Sequence, residues 1–289
     1  MEARIRLLFP ENLFFFLFGM IGYFLFTVVD TLIKLTGNLE PTQVPLMSGI
    51  FIALLVCVFE REKVSLPKIN RLWFYFFGYI LSNGLNVVCL YYVFWNIPMI
   101  EAYPILLLMP IGLSILSAIT LKYSLSVLDL VLLGMGLMGS LFIIEPNYNT
   151  FTVAHLVAFV AMFLAILRAY FNKLIGTQLQ SSLMMYGSQF FFVIFTIVFY
   201  GLPNFSEYRF DAEAMTAIFF VSVFAVIAMR MMIYAYKFGD PKIVSSAVFS
   251  QVVFGALISS IIFGDVIVAY DIIGIILTLS TGFIMSVKK

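Results

Sequence analysis

Long runs of apolar residues, each about twenty residues long, recur along the chain with short polar segments between them. Strands of a membrane barrel alternate apolar and polar residues over about ten positions, and these runs are continuous instead. An α-helix of about twenty apolar residues spans the roughly 30 Å of bilayer hydrocarbon. The pattern therefore predicts membrane-crossing helices. Ten spans are predicted, at residues 12–36, 44–59, 72–95, 103–121, 127–144, 152–171, 182–202, 214–236, 243–263 and 268–286.

Composition supports a membrane environment and excludes several classes of protein. Of the 289 residues, 63% are hydrophobic and only 11% are charged, and the mean hydropathy is +1.09. Soluble domains are about 45–50% apolar and about 25% charged. A soluble enzyme, a nucleic-acid-binding protein and a disordered chain are therefore excluded, and the lipid bilayer is the expected partner of most of the surface. The net charge of +1 favours no nucleic-acid partner.

The basic residues predict an orientation in the membrane. If the amino terminus is cytoplasmic, twelve of the sixteen Lys and Arg residues fall in inner segments and only Arg209 falls in an outer one. Cytoplasmic loops of membrane proteins carry such an excess of Lys and Arg. Both termini are therefore predicted to be cytoplasmic, which requires an even number of spans.

An internal repeat divides the chain into two halves. Residues 91–145 and 234–288 align without gaps. The alignment pairs Tyr91 with Tyr234, Pro98 with Pro241, Gly112 with Gly255, Ser117 with Ser260, and Gly139 with Gly282. With five spans in each half, the halves (1–146 and 147–289) must face opposite ways. The predicted fold is all-α, with ten transmembrane helices in two inverted five-helix repeats, an organisation typical of secondary transporters.

The motifs of both halves resemble a known family. Glu101-Ala102-Tyr103-Pro104, Pro110 and Phe142-Ile143-Ile144-Glu145-Pro146 resemble the EamA type of the drug/metabolite transporter superfamily. The second half is similar, from Asp240-Pro241 to Phe263-Gly264-Asp265. It departs from the first half at Val253, which stands opposite Pro110, and the first half has Leu121-Lys122 where the family often has Gly-Glu.

This resemblance implies a bacterial inner (plasma) membrane carrier with a central pathway for small metabolites. The segment Val29-Asp30-Thr31-Leu32-Ile33-Lys34 is similar to a pattern in carriers of S-adenosylmethionine and riboflavin. The resemblance thus implies an amino acid, an amino-acid derivative such as S-adenosylmethionine, or a vitamin as substrate. It implies no cofactor.

Ionisable residues inside the predicted spans are candidates for function, because each costs at least about 2.5–3.5 kcal/mol at the bilayer centre on insertion scales. Asp30 and Lys34 are four residues apart on one helical face and can pair. Arg168 lies in the sixth span and shares a face with Asn172. Arg230 lies in the eighth span. Either Arg230, which suits a carboxylate or a phosphate-like group, or the Asp30/Lys34 pair is predicted to hold the charged groups of the substrate. Snorkelling to the headgroups is the alternative for the basic residues.

Polar and aromatic residues complete the predicted substrate site, which is expected to lie against the third, fourth, eighth and ninth spans. Their alternative role is to hold neighbouring helices together. The predicted substrate-binding residues are Asp30, Lys34, Asn83, Asn86, Tyr91, Arg168, Arg230, Tyr234 and Gln251. Asp129 and Asp271 are interpreted instead as helix caps near the starts of the fifth and tenth spans.

The absence of two motifs limits the function that the sequence can have. The sequence has no G-x-x-x-x-G-K motif for ATP and no metal-ligand spacing, so neither a cofactor nor a metal is predicted. The leading hypothesis is therefore a secondary transporter, not an enzyme, that binds a small molecule and works by alternating access. An exporter of metabolites or drugs, a lipid-modifying membrane enzyme and a channel are the alternatives. Asp30 is the candidate for proton coupling, exchange coupling is the other option, and a monomer or a homodimer is expected.

Overall fold

The computed structural model describes residues 10–36, 39–40, 42–59, 71–97, 99–144, 151–264 and 267–287. These residues form twelve α-helices and no strand. The helices are α1 (Glu11–Leu35), α2 (Gln43–Phe59), α3 (Arg71–Asn96), α4 (Met99–Leu106), α5 (Met109–Leu121), α6 (Val127–Ile144), α7 (Val153–Ile175), α8 (Ser181–Tyr200), α9 (Ala212–Phe238), α10 (Pro241–Ser246), α11 (Phe249–Phe263) and α12 (Ala269–Val287).

The helices have the lengths and composition of membrane-crossing segments. In the described part of the chain, eight helical segments are long and apolar enough to cross a membrane, two of which combine α4 with α5 and α10 with α11. The other two helices, α2 and α6, are apolar but shorter. The lengths and composition of these helices confirm the prediction of an all-helical, multi-pass membrane protein.

Two of the predicted spans are broken into two helices each, which the apolar pattern does not indicate. The first break is at Leu107 and Leu108, next to Pro110 in the first turn of α5. Proline has no N–H and cannot donate to the preceding turn, so it separates α4 from α5. The second break is at Ala247 and Val248. It lies three residues before Ser250 and Gln251, the positions that the sequence alignment pairs with the first break.

The second break has no proline, and serine side chains mark it instead. Ser246 Oγ donates to the Ile243 carbonyl at 2.7 Å, and Ser250 Oγ donates to the Ala247 carbonyl at 2.6 Å. Serine hydroxyls that bond backbone carbonyls compete with the helical ladder and bend helices. The two halves therefore break corresponding spans with different residues.

The helix caps predicted at Asp129 and Asp271 are both present. Asp129 Oδ2 accepts from the Ser126 N–H at 2.9 Å, and Ser126 Oγ accepts in return from the Asp129 N–H at 3.2 Å. Asp271 Oδ2 accepts from the Val268 N–H at 2.7 Å. These carboxylates satisfy backbone donors that have no partner within the helix, at the end where the helix dipole favours negative charge.

Two pairs of long helices pack in the same antiparallel manner. In the pair α1–α9, Gly22 lies against Met232 while Phe15 lies against Gly239. In the pair α3–α7, Gly78 lies against the ring of Phe171, and the Asn86 amide donates to the Ala161 carbonyl at 2.7 Å. Since α1, α9, α3 and α7 contain the first, eighth, third and sixth predicted spans, each pair takes one helix from each half of the chain.

The shorter helix α6 packs against α12 at very close range. A Cβ added at Gly139 would lie 2.8 Å from the Gly274 carbonyl oxygen, and a Cβ at Gly274 would lie 2.5 Å from the Gly139 carbonyl oxygen. Small residues let membrane helices approach to this distance. The outer surfaces of the pair are apolar and exposed, as at Val131 and Ile276. The glycines of the two helices therefore allow α6 and α12 to lie in close contact.

Candidate functional site

A polar cavity lies between four helices near one end of the bundle. We call this end the terminal face, because α1 begins there, and α7 and α9 end there. The cavity is partly open, and its empty space of about 310 Å³ includes open solvent. It is lined by Phe26 of α1, Tyr79 and Asn83 of α3, Arg168, Ala169 and Asn172 of α7, and Met229, Met232, Ile233 and Tyr236 of α9.

Two of the four helices that line the cavity are among those predicted, and two are not. The prediction placed the site against the third, fourth, eighth and ninth spans, whereas the cavity is lined by the first, third, sixth and eighth. Helical spacing brings the lining residues to one face of each helix, since Tyr79 and Asn83 are four apart, as are Arg168 and Asn172. Each half of the chain contributes two of the four helices.

Arg168 is the charged group of the cavity. Its side chain is half-buried, and Nη1 donates to Asn83 Oδ1 at 3.3 Å. No carboxylate of the described residues forms an ion pair with it. A guanidinium has five N–H donors, and an arginine inside a membrane helix usually pairs with an acid, with backbone carbonyls or with a ligand. Arg168 therefore has donors and charge left for a ligand.

Two buried amides in the cavity are only partly hydrogen-bonded. Asn83 and Asn172 are each 3% exposed. Asn83 Nδ2 and Asn172 Oδ1 have no hydrogen-bond partner. An unpaired buried polar group costs about 1–3 kcal/mol, so the protein retains these two groups at a cost to its stability. The cavity thus offers one unpaired donor and one unpaired acceptor beside a cation.

Aromatic and thioether side chains form the rest of the wall. The rings of Phe26, Tyr79 and Tyr236 line the cavity together with Met229 and Met232. Next to it, the hydroxyls of Tyr23 and Tyr236 lie 3.3 Å apart and join α1 to α9. Rings and methionines offer a planar or irregular apolar ligand a large contact area.

A second polar cluster, the Asp30 cluster, lies toward the opposite end of the bundle. Asp30 Oδ2 accepts from the Tyr103 hydroxyl at 3.1 Å and from Gln251 Nε2 at 2.9 Å. The cluster therefore joins α1, α4 and α11. It brings together two of the predicted site residues, Asp30 and Gln251. The predicted partner of Asp30, Lys34, has its side chain outside the part of the chain that the structure describes.

The remaining predicted site residues lie outside the cavity. Asn86 bonds the backbone of α7, as the alternative role predicts. Tyr91 is buried and stacks on Phe192 with ring centroids 6.1 Å apart. Tyr234 packs against Phe238 with ring centroids 4.9 Å apart. Arg230, which was predicted to hold a charged group of the substrate, is exposed on α9 and does not line the cavity.

Sequence reasoning did not include Tyr79, Asn172 and Tyr236 in the site. For Asn172 and Tyr79 a signal existed, since each is four residues from a predicted site residue, Arg168 and Asn83. No comparable signal identifies Tyr236, because tyrosine is common in this chain, with 15 residues. The sequence indicates Tyr103 only as part of a family-like motif and not as a partner of Asp30.

Polar contacts also join the two halves at both ends of the bundle. At the terminal face Lys242 Nζ lies 3.1 Å from Asp129 Oδ2 and donates to the Ser124 carbonyl at 2.8 Å. At the opposite end the hydroxyls of Thr42 and Tyr208 lie 2.7 Å apart. The Lys242–Asp129 pair is well buried, with 15% and 3% of the side chains exposed.

Comparisons with known proteins identify the fold but not a family. No family model matches the chain, and no curated protein matches it. Twenty-eight chains of solved structures do match. One, a crystal structure described only as that of a protein, superimposes with a TM-score of 0.76 and 13% identity, over 94% of this chain and 97% of the other. The chain therefore shares its fold, over nearly its whole length, with a protein of known structure.

Proposed function

We propose that the protein is a secondary transporter, not an enzyme, that carries a small organic metabolite across the membrane by alternating access. The observation that carries this proposal is the cavity around Arg168. The cavity lies between helices that are long enough to cross a membrane. Its lining includes the guanidinium of Arg168 and two buried amide atoms that have no hydrogen-bond partner. A cation and two unpaired amide atoms that all face one cavity favour a ligand over packing between helices alone.

In this proposal the two halves, 1–146 and 147–289, are inverted repeats of five spans each, with α2 and α6 also crossing the membrane. The matching antiparallel pairs α1–α9 and α3–α7 support it, and so do the two broken spans. Discontinuous helices and a site shared between repeats are features of secondary transporters. The charge bias places both termini in the cytoplasm, with the cavity then in the cytoplasmic half of the membrane.

The resemblance to EamA-type carriers of the drug/metabolite transporter superfamily supports the same function in a bacterial inner membrane. It suggests an amino acid, an amino-acid derivative such as S-adenosylmethionine, or a vitamin as substrate. Uptake and export use the same architecture, and we propose neither direction over the other. Asp30 is the proposed site of proton coupling, since it lies well inside a membrane-crossing helix and accepts hydrogen bonds from both halves.

The test is solute counterflow into proteoliposomes that contain the purified protein. Vesicles loaded with an unlabelled amino acid, S-adenosylmethionine or vitamin should accumulate the same labelled solute, and empty vesicles should not. If none of these solutes exchanges while the reconstituted protein still melts cooperatively, the proposal fails. Flux that is independent of pH would remove Asp30 from the coupling step and leave exchange as the mechanism.

A further inference from the structure

The hydrogen-bonding pattern of the cavity indicates which chemical groups a ligand must carry. Arg168 Nη1 bonds Asn83 Oδ1. Because a guanidinium only donates, this bond identifies the oxygen of the Asn83 amide and directs its NH₂ group elsewhere. That NH₂ group is buried and has no partner. Asn83 and Arg168 therefore present unused donors side by side.

Donors beside an uncompensated positive charge complement an anion. Charge-assisted hydrogen bonds between a guanidinium and a carboxylate are among the strongest in proteins, because the planar fork matches two oxygens. The described carboxylates leave this position unfilled, since their ion pairs are made at Arg209 and Lys242. A ligand can supply the negative charge that the described carboxylates do not.

The unpaired oxygen of Asn172 adds a second requirement. Asn172 is one helical turn from Arg168 on the same face of α7, and side chains four apart have Cβ atoms about 5–6 Å from each other. Its Oδ1 is buried without a donor. A ligand N–H or O–H group next to the anionic group would satisfy it.

The size and walls of the cavity limit the rest of the ligand. The enclosed space is small and the cavity is partly open, since its empty volume of about 310 Å³ includes open solvent. The rings of Phe26, Tyr79 and Tyr236 and the thioethers of Met229 and Met232 surround it. These walls favour a compact apolar or planar body.

We propose that the cavity binds a small organic acid whose carboxylate contacts Arg168 and the Asn83 NH₂ group, and whose neighbouring N–H or O–H group donates to Asn172 Oδ1. This assignment rests on the proposed function and specifies its substrate class. α-Amino acids and α-hydroxy acids with a compact apolar side chain have the required groups.

The test is calorimetric binding to the purified, detergent-solubilised full chain with matched probes. One series has a phenyl body: phenylalanine, its methyl ester, 3-phenylpropionate and phenethylamine. A second series has the leucine body with the same four head groups. The amino acid should bind best, the acid without the amine several-fold more weakly, and the ester and the amine at least about tenfold more weakly, the size expected for a lost charge-assisted hydrogen bond.

Three variants assign the preference to residues. Arg168→Gln should abolish the difference between acid and ester, whereas Arg168→Lys should retain part of it. Asn172→Leu should make the amino acid and the acid without the amine bind equally. Arg209→Gln, the same substitution at an exposed arginine of the segment before α9, is the control and should leave all affinities unchanged.

The outcomes separate this inference from the proposed function. The inference is overturned if an ester or an amine binds as well as the acid, if neither amino acid binds, or if Arg168→Gln retains the preference for the acid. Acid-selective binding without counterflow would reject the transporter and keep the ligand assignment. Counterflow of a neutral or cationic solute, with no binding of acids, would keep the transporter and reject the assignment.

Discussion

Asp30 and Arg168 are both charged residues inside membrane-crossing helices, but their surroundings differ. The carboxylate of Asp30 accepts two hydrogen bonds, from Tyr103 and Gln251. Arg168 makes one bond of 3.3 Å to an asparagine and is followed one turn later by an amide oxygen with no partner. The Asp30 cluster is satisfied within the protein, whereas the cavity is not.

The difference separates a site that joins helices, and through which we propose that protonation is coupled to transport, from a site that binds the ligand. A buried polar network that is satisfied holds elements together, while one that is only partly satisfied lowers stability until a ligand completes it. The two sites should therefore respond in opposite ways to mutation. Changes at Asp30 should lower the stability of the ligand-free protein, and changes at the cavity should mainly lower ligand affinity.

The largest effect is expected at the Asp30 cluster. Asp30→Ala leaves the Tyr103 hydroxyl and the Gln251 amide without their acceptor, and hydrogen bonds to charged groups are worth about 1.5–3 kcal/mol. The melting temperature of the ligand-free protein should fall clearly. The Asp30→Asn variant keeps an oxygen acceptor, so its melting temperature should fall much less. Equal melting temperatures for wild type and Asp30→Ala would show that the cluster holds nothing together.

Arg168→Gln should give the opposite pattern. The ligand-free protein should melt within a few degrees of wild type, because Arg168 loses only one long bond to Asn83 and the burial cost of its charge is removed. Counterflow should fall at least about tenfold, by the loss of a charge-assisted bond. A large loss of stability with normal flux would reverse the roles that we assign to the two sites.

Asn172→Leu should raise stability, which is unusual for a buried substitution. It replaces an amide that has an unpaired oxygen with an apolar side chain of similar size, and this removes a penalty of about 1 kcal/mol or more. The thermal unfolding of wild type and variant in the same detergent would measure the change. If the variant melts below wild type, Asn172 has a structural role that its unpaired oxygen does not reveal.

Tyr103→Phe tests how the two donors of the Asp30 cluster share the carboxylate. Loss of one hydroxyl donor should cost about 1 kcal/mol. Because Tyr103 and Gln251 bond the same oxygen, Tyr103→Phe and Gln251→Leu should be non-additive by about 0.5 kcal/mol or more in a double-mutant cycle on thermal stability. Additive effects would mean that the two bonds act independently.

The smallest effect is expected at Arg230. It is exposed on α9 and does not line the cavity, so Arg230→Gln should change counterflow less than Arg168→Gln does. Parallel flux measurements on the two variants decide between the residue predicted from sequence and the one that lines the cavity. A greater loss at Arg230 would favour the sequence prediction.

Much of the architecture could be predicted from sequence because lipid imposes simple rules. Helix lengths follow from hydrocarbon thickness, and apolar runs such as residues 152–171 correspond closely to a helix, Val153–Ile175. The caps at Asp129 and Asp271 follow from the chemistry of helix ends. Pro110 was visible in the sequence, but the matching break at Ala247 was not, because serines bend helices only in some contexts.

The partners of the ionisable residues were decided only by tertiary structure. The sequence alone established an apolar, helical, membrane-crossing chain and indicated that Asp30, Arg168 and Arg230 lie within its spans. Whether an arginine faces a cavity or the surface depends on how helices rotate against one another. That rotation is set by side-chain packing between α3, α7 and α9, which lie far apart in the sequence. It places Arg168 beside Asn83 and leaves Arg230 exposed, and local spacing carries no information about either outcome.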